Sequence, residues 1–250
     1  MKEVKFPFLN KNFEEGKFKI EKGKKPYLKK DGKISEFEIW IVDGKYIRDN
    51  ICEDFVNIGQ HYVFDFIPKN EFWIAKEEDN GEEHFYIDYL LVENRLMKSG
   101  VSYDEASTLA EQVERKERNK SILFKKFKKI RNNPKIIEKV HKKLFKKFRN
   151  GINVWIVNGE LVRDFFEISY TGGGHDKFYD FVPNKEIWID NDISKEEIKF
   201  ILLHEIHERN LMKKGMSYRK AHFSATEIED FARHHKTKLN SLIKLEIIPD

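Results

Sequence analysis

The chain repeats itself. The stretch EIWIVDGKYIRD at 38–49 returns as NVWIVNGELVRD at 153–164. FDFIPKNEFWI at 64–74 returns as YDFVPNKEIWI at 179–189, and ENRLMKSGVSY at 93–103 as ERNLMKKGMSY at 208–218. Every match lies 115 residues from its partner, so 37–114 aligns with 152–229 without a gap, and 25 of those 78 positions are identical. A gap-free duplication of this length requires two copies of one folded unit. Its period is that of a domain, well beyond the roughly 20–50 residues of a solenoid repeat.

Each copy reads as a ββββαα module, so the expected fold is α+β. Residues 39–42 and 154–157 are β-branched and aromatic, and Asp43-Gly44 or Asn158-Gly159 follows. Such pairs between apolar runs predict a hairpin, because both turn positions of its tight turn need positive φ. A second strand pair is expected at 62–67 with 72–74, and at 177–182 with 187–189. In the second copy Ser194 and Glu197 fit a capping box for a helix from Ile198 to Met212, closed at Gly215. Ser217 then caps a second helix running to about His234. The first copy places its helices near 82–98 and 103–117, broken at Gly100.

Charge divides the chain further. Residues 1–36 carry a net +5 and the first repeat, 37–117, carries −11. Residues 118–151 hold 14 Lys/Arg against one acid, and 152–250 carry −3. The expected domains are therefore a basic N-terminal segment (1–36), a first repeat (37–117), a basic connector (118–151) and a second repeat (152–250). Within the connector, 121–131 and 135–149 read as amphipathic helices parted by Pro134, with Ile137, Val140, Leu144 and Phe148 as one apolar stripe. Fourteen cations can neutralise phosphates, so nucleic acid or another polyanion is one expected partner of 118–151. The same lysines can instead sit in water or face the acidic repeat. The single cysteine, Cys52, excludes an intrachain disulfide and a zinc site built on several thiolates. No run approaches the length of a membrane span, and the first ten residues lack an apolar signal core, so a cytoplasmic protein is expected.

Chemistry enters where the copies differ. The second copy reads FILLHEIHERNLM at 200–212. His204, Glu205 and His207 there align with Tyr89, Leu90 and Val92. His175 aligns with Gln60 and His222 with Ser107, whereas Glu208 and Glu229 are matched by Glu93 and Glu114. Residues three or four apart share a helix face, so His204, His207 and Glu208 cluster on one helix. His222 can join them from the next helix, and His175 from a glycine-rich loop. Imidazole with carboxylate is what a divalent metal uses when thiolate is absent. The expected metal ligands are thus His204, His207, Glu208, His222 and His175, with zinc the first expectation.

The helix resembles the HExxH helix of zinc metalloproteases, in which two histidines four apart bind zinc and the glutamate after the first is the general base. Here His204 and Glu205 match the first two positions, while Glu208 stands where the second histidine would be. The resemblance covers this one helix. It implies that His204 is a ligand and Glu205 a base acting on a water brought to a pKa of about 7. The leading expectation is a metal-dependent hydrolase, peptidase- or amidase-like, acting on a small molecule or peptide. The alternatives are a non-catalytic nucleic-acid-binding protein that uses the connector, and a structural protein whose metal fastens two helices.

Overall fold

The computed structural model describes residues 20–76, 81–131 and 133–247. It divides into two compact units, one of residues up to 76 with 83–114, the other of 77–82 with residues from 115 onward.

The first unit holds β1 (Tyr27–Ile34), β2 (Phe37–Val42), α1 (Gly44–Asn50), β3 (Ile58–Gln60), β4 (Glu71–Ala75) and α2 (Glu83–Lys98). It is followed by α3 (Tyr103–Arg118), whose last turn is counted with the second unit. The second unit continues with the short helices α4 (Ile122–Phe127) and α5 (Lys135–Val140). Then come β5 (His141–Lys147), β6 (Asn153–Val157), α6 (Gly159–Phe165), β7 (Gly173–His175) and β8 (Glu186–Asp190). The helices α7 (Ile198–Lys213), α8 (Tyr218–His234) and α9 (Leu239–Ile247) close the unit. Each unit is thus a four-stranded mixed sheet followed by helices, the duplicated α+β module expected from the repeat. The strand orders are β1-β2-β4-β3 and β5-β6-β8-β7. The inner pairs β2–β4 and β6–β8 run parallel and the outer pairs antiparallel.

Strand alternation splits each core over two faces. In β8, Ile187 and Ile189 join Phe200, Leu203 and Ile206 of α7, whereas Trp188 joins Leu161 and Val162 of α6. In β4, Phe72 and Ile74 meet Leu90 of α2, whereas Trp73 meets Ile47 of α1.

Three local expectations are corrected. Asp43-Gly44 and Asn158-Gly159 do not turn hairpins. The Asp43 and Asn158 side chains accept the backbone N–H of Tyr46 and Leu161, capping α1 and α6. Gly159 is needed for space, since a Cβ there would lie 2.0 Å from the Asp190 carboxylate. The strand expected at 62–67 is a loop whose Phe64, Phe66 and Ile67 pack into the core, and the strand lies earlier, at β3. The Ser194–Glu197 capping box does not form. Ser194 Oγ makes no hydrogen bond, and Glu197 turns inward to Arg233.

The basic connector is helical only as far as Val140. His141–Lys147 is the edge strand of the second sheet and the counterpart of β1, so the repeat extends upstream. The ungapped match misses it because the offset there is 114: β1 and β2 are linked by Ser35 and Glu36, whereas β5 reaches β6 through a longer turn with Gly151 at positive φ. Side chains confirm the pairing. Tyr27 OH and Trp73 Nε1 both donate to Glu71, as His141 Nε2 and Trp188 Nε1 both meet Glu186. Lysines on β5 suit an edge, because charge there opposes pairing with another chain. Among the described residues, no helix is long and apolar enough to cross a membrane.

Candidate metal centre

The site lies between α7 and α8, beside His175 at the end of β7. On α7, His204 and Glu208 are four residues apart and share a face. His222 and Glu229 stand two turns apart on α8. His204 Nε2 lies 3.1 Å from His222 Nδ1 and 3.6 Å from Glu208 Oε2, and the last two are 2.7 Å apart. Three candidate donor atoms on two helices therefore lie within 3.6 Å of one another. A tetrahedral zinc with bonds of about 2.0–2.1 Å needs ligand–ligand edges of about 3.3 Å, and this triangle straddles that value.

The other ring nitrogen of His204 is fixed from behind. Nδ1 donates to Glu229 Oε2 at 2.9 Å, which leaves Nε2 pointing at the cluster. Glu229 is itself held by Arg233, whose Nε and Nη2 donate at 3.0 and 2.6 Å, and Arg233 also donates to the fully buried Glu197. A carboxylate behind a ligating imidazole sets its tautomer and raises its basicity. Burial by itself would raise the Glu229 pKa; the His204 hydrogen bond and the Arg233 charge outweigh it and hold the group at about 2. Glu208 shows the same opposition: burial raises its pKa, and hydrogen bonds from His175, His204 and His222 pull it well below the carboxylate range. For His204, burial disfavours the cation, but Glu208 and Glu229 together push its pKa up to about 10 in the metal-free protein.

His175 reaches Glu208, with Nε2 2.9 Å from Oε1. Its Nδ1 accepts the backbone N–H of Lys177 at 3.1 Å. A neutral imidazole that accepts at Nδ1 carries its proton on Nε2. In that tautomer His175 donates to Glu208, and the same ring stands in a second possible metal grouping with Glu205 and Glu208. His207 does not join the cluster. Its Nδ1 meets Glu246 Oε1 of α9 at 2.7 Å and its Nε2 meets Ser224 Oγ of α8 at 3.0 Å.

Glu205 is buried and has no hydrogen-bond or ion-pair partner among the described residues. Carboxylate oxygens of Glu205 and Glu208 and a ring nitrogen of His175 lie within 4.8 Å of one another. Burial, followed by the Glu208 charge, raises the Glu205 pKa to about 8 against the opposing effect of His204. The glycine run of β7 now has a purpose: a Cβ on Gly173 would sit 2.9 Å from Glu205 Cγ and Oε1. In the first copy the same two positions are Ile58 and Leu90, an apolar pair.

The first copy fills the equivalent space with direct hydrogen bonds. Glu93 accepts from Gln60 Nε2 at 3.0 Å and from Tyr89 OH at 2.8 Å, and Tyr89 OH lies 2.8 Å from Ser107 Oγ. Burial leads there, and the Glu93 pKa is raised, the reverse of Glu208. Sequence comparison of the copies did not single out Glu246, Ser224 or the orienting role of Glu229. The first two align with Arg131 and Leu109, a difference that stood unused because it depends on where α9 returns. No protein-family model, curated protein or solved structure matches the chain.

Proposed function

We propose that the second unit binds one divalent metal through His204 Nε2, Glu208 and His222 Nδ1, and uses it to hydrolyse a small-molecule or peptide substrate of the amide or ester class. Two imidazoles and one carboxylate, with a fourth position left open, form a donor set of catalytic zinc sites. The same donors also serve ferrous oxygenases. The observation that favours hydrolysis is Glu205, a buried carboxyl beside the proposed ligands with no hydrogen-bond partner among the described residues.

The metal, when bound, supplies a Lewis acid and lowers the pKa of a water to about 7. Glu205 takes the proton from the attacking water and hands it to the leaving group, a role worth about 10²–10⁴-fold. Glu229 holds the His204 ring, and His175 holds Glu208. Gly173 makes the room in which the Glu205 carboxyl rests.

The test is Glu205→Gln in the full chain, with elemental analysis beside hydrolysis of a panel of amides and esters. The variant should keep its metal and lose the activity, while His204→Ala should lose both. If Glu205→Gln releases the metal instead, Glu205 is a ligand and the site fastens helices.

A polyanion-binding reading rests on a separate observation. Lys125, Lys126, Lys128 and Lys129 are exposed, and no ion pair involves them among the described residues.

A further inference from the structure

His207 lies on the same helix as the proposed ligands but belongs to another arrangement. Glu246 Oε1, His207 and Ser224 Oγ follow one another at 2.7 and 3.0 Å, through the two nitrogens of one ring. Glu246 accepts from Nδ1–H, which fixes the tautomer and leaves the Nε2 lone pair for the Ser224 hydroxyl proton. Asn210 Nδ2 steadies the acid from its other side, donating to Glu246 Oε2 at 2.9 Å and to the Glu246 carbonyl at 2.8 Å. His207, Ser224 and Glu246 are all half-buried, so each keeps a face toward solvent. A nucleophile bonded to a base, with the base oriented by a third group, is the pattern of nucleophilic catalysis, recognised by geometry and not by chain order.

The first copy breaks every member. The matching residues are Val92, Leu109 and Arg131. A bland role for the three is to tie α9 to α7 and α8. That role requires no tautomer to be set and no hydroxyl to stand at the free nitrogen.

We propose that Ser224, His207 and Glu246 form a second reactive centre, separate from the metal site, at which Ser224 accepts acyl groups from activated carboxylic esters. In the step, Ser224 Oγ attacks the ester carbonyl carbon and its proton passes to His207 Nε2. The bond from carbon to the leaving oxygen breaks as His207 Nε2–H hands that proton to the oxygen, giving an acyl-serine, a released alcohol or phenol and a neutral His207. Water later attacks the acyl-serine. His207 first takes that water's proton and then returns one to Ser224 Oγ, freeing the carboxylic acid.

The experiment uses the full chain kept in chelator, so that a metal-dependent reaction is silent. The probe is p-nitrophenyl acetate, followed by trypsin and tandem mass spectrometry. Cleavage after Lys220 and Arg233 isolates a peptide in which Ser224 is the only serine. The expected result is acetylation of Ser224, abolished by Ser224→Ala. His207→Gln should slow acetylation about 10²–10⁴-fold, and Glu246→Gln should slow it as well. Melting curves of all three variants check that α9 stays docked, and if one variant unfolds the other two decide. Should Ser224 be acetylated no faster than in the guanidinium-unfolded chain, or at an unchanged rate in both His207→Gln and Glu246→Gln, the three residues are a helix tether and the proposal fails.

Discussion

Replacing Glu205 with leucine, the residue at the matching position 90, should make the second unit more stable. Glu205 is 8% exposed and has no hydrogen-bond partner among the described residues, and its neighbours include Ile201 and the bare backbone of Gly173. A buried polar group left unpaired costs about 1–3 kcal/mol. Leucine removes that cost and adds apolar contact at similar volume. Burial and the Glu208 charge raise the folded pKa to about 8, against 4.5 in the unfolded chain and despite His204. A carboxyl with a raised folded pKa is tolerated below its unfolded value, and the stability it leaves in place is lost as pH climbs to the folded value. The advantage of leucine should therefore be smallest below pH 4.5, grow through neutrality and level off near 8. For a unit of this size the gain amounts to a rise of roughly 3–10 °C in Tm. Scanning calorimetry of the metal-free chain at several pH values is the assay, and hydrogen exchange of α7 amides assigns the transition to the second unit. A leucine variant that is less stable near pH 8, or a gain that ignores pH, would refute the reasoning. The stabilised protein should lose any hydrolase activity, since a strained carboxyl that works is commonly less stable than its inert replacement.

Glu208→Gln should abolish metal binding, whereas Glu93→Gln in the first copy should leave the metal content of the chain unchanged; elemental analysis distinguishes the two. Arg233→Ala removes the cation that Glu197 and Glu229 share in the interior and should cost about 3–5 kcal/mol by urea denaturation; a loss near zero would remove Arg233 from its supporting role. Gly173→Ala should destabilise the unit by about 1–3 kcal/mol through overpacking, and most of that should return in a Glu205→Ala background. Changing Lys125, Lys126, Lys128 and Lys129 to Gln should flatten the salt dependence of binding to duplex DNA, because fewer counterions are released; a chain that DNA does not retain at low salt ends the polyanion reading.

The duplication was the most legible feature. Element bounds from α1 to α2 recur in α6 to α7 at the 115-residue spacing, because identical cores demand identical geometry. The edge strands were hidden by one residue in a turn. Val140, Leu144 and Phe148 also mimic a helical stripe, although Leu144 is 42% exposed on the strand. Asp43-Gly44 and Asn158-Gly159 suit cap and hairpin turn alike, and what tells them apart is the helix that follows, whose Tyr46 and Leu161 N–H groups the two side chains accept. At the site, the helical spacing of His204 and Glu208 puts them side by side, and the contrast between copies points to His222, which meets both. The ring of His175 stands against Glu208, and the Lys177 N–H that meets its other nitrogen is invisible in sequence. His207 lies three residues from His204, some 60° from full register around the helix, and it meets Glu246 of α9 and Ser224 of α8.

The chain of buried charge behind His204 has a bearing on history. Glu197, Glu229 and Arg233 recur as Glu82, Glu114 and Arg118, and Arg118 again donates to Glu82. The first copy thus keeps the three residues although the positions aligned with His204 and His222 hold Tyr89 and Ser107. With Glu93 and Glu114 already present, two exchanges, Tyr89→His and Ser107→His, are all that separate its sequence from the proposed ligand set. The frame belongs to the ancestor of both halves, and the chemistry belongs to the handful of side chains it carries. A lineage holding such a frame twice can gain or shed a reactive centre in either half while the other goes on folding as before.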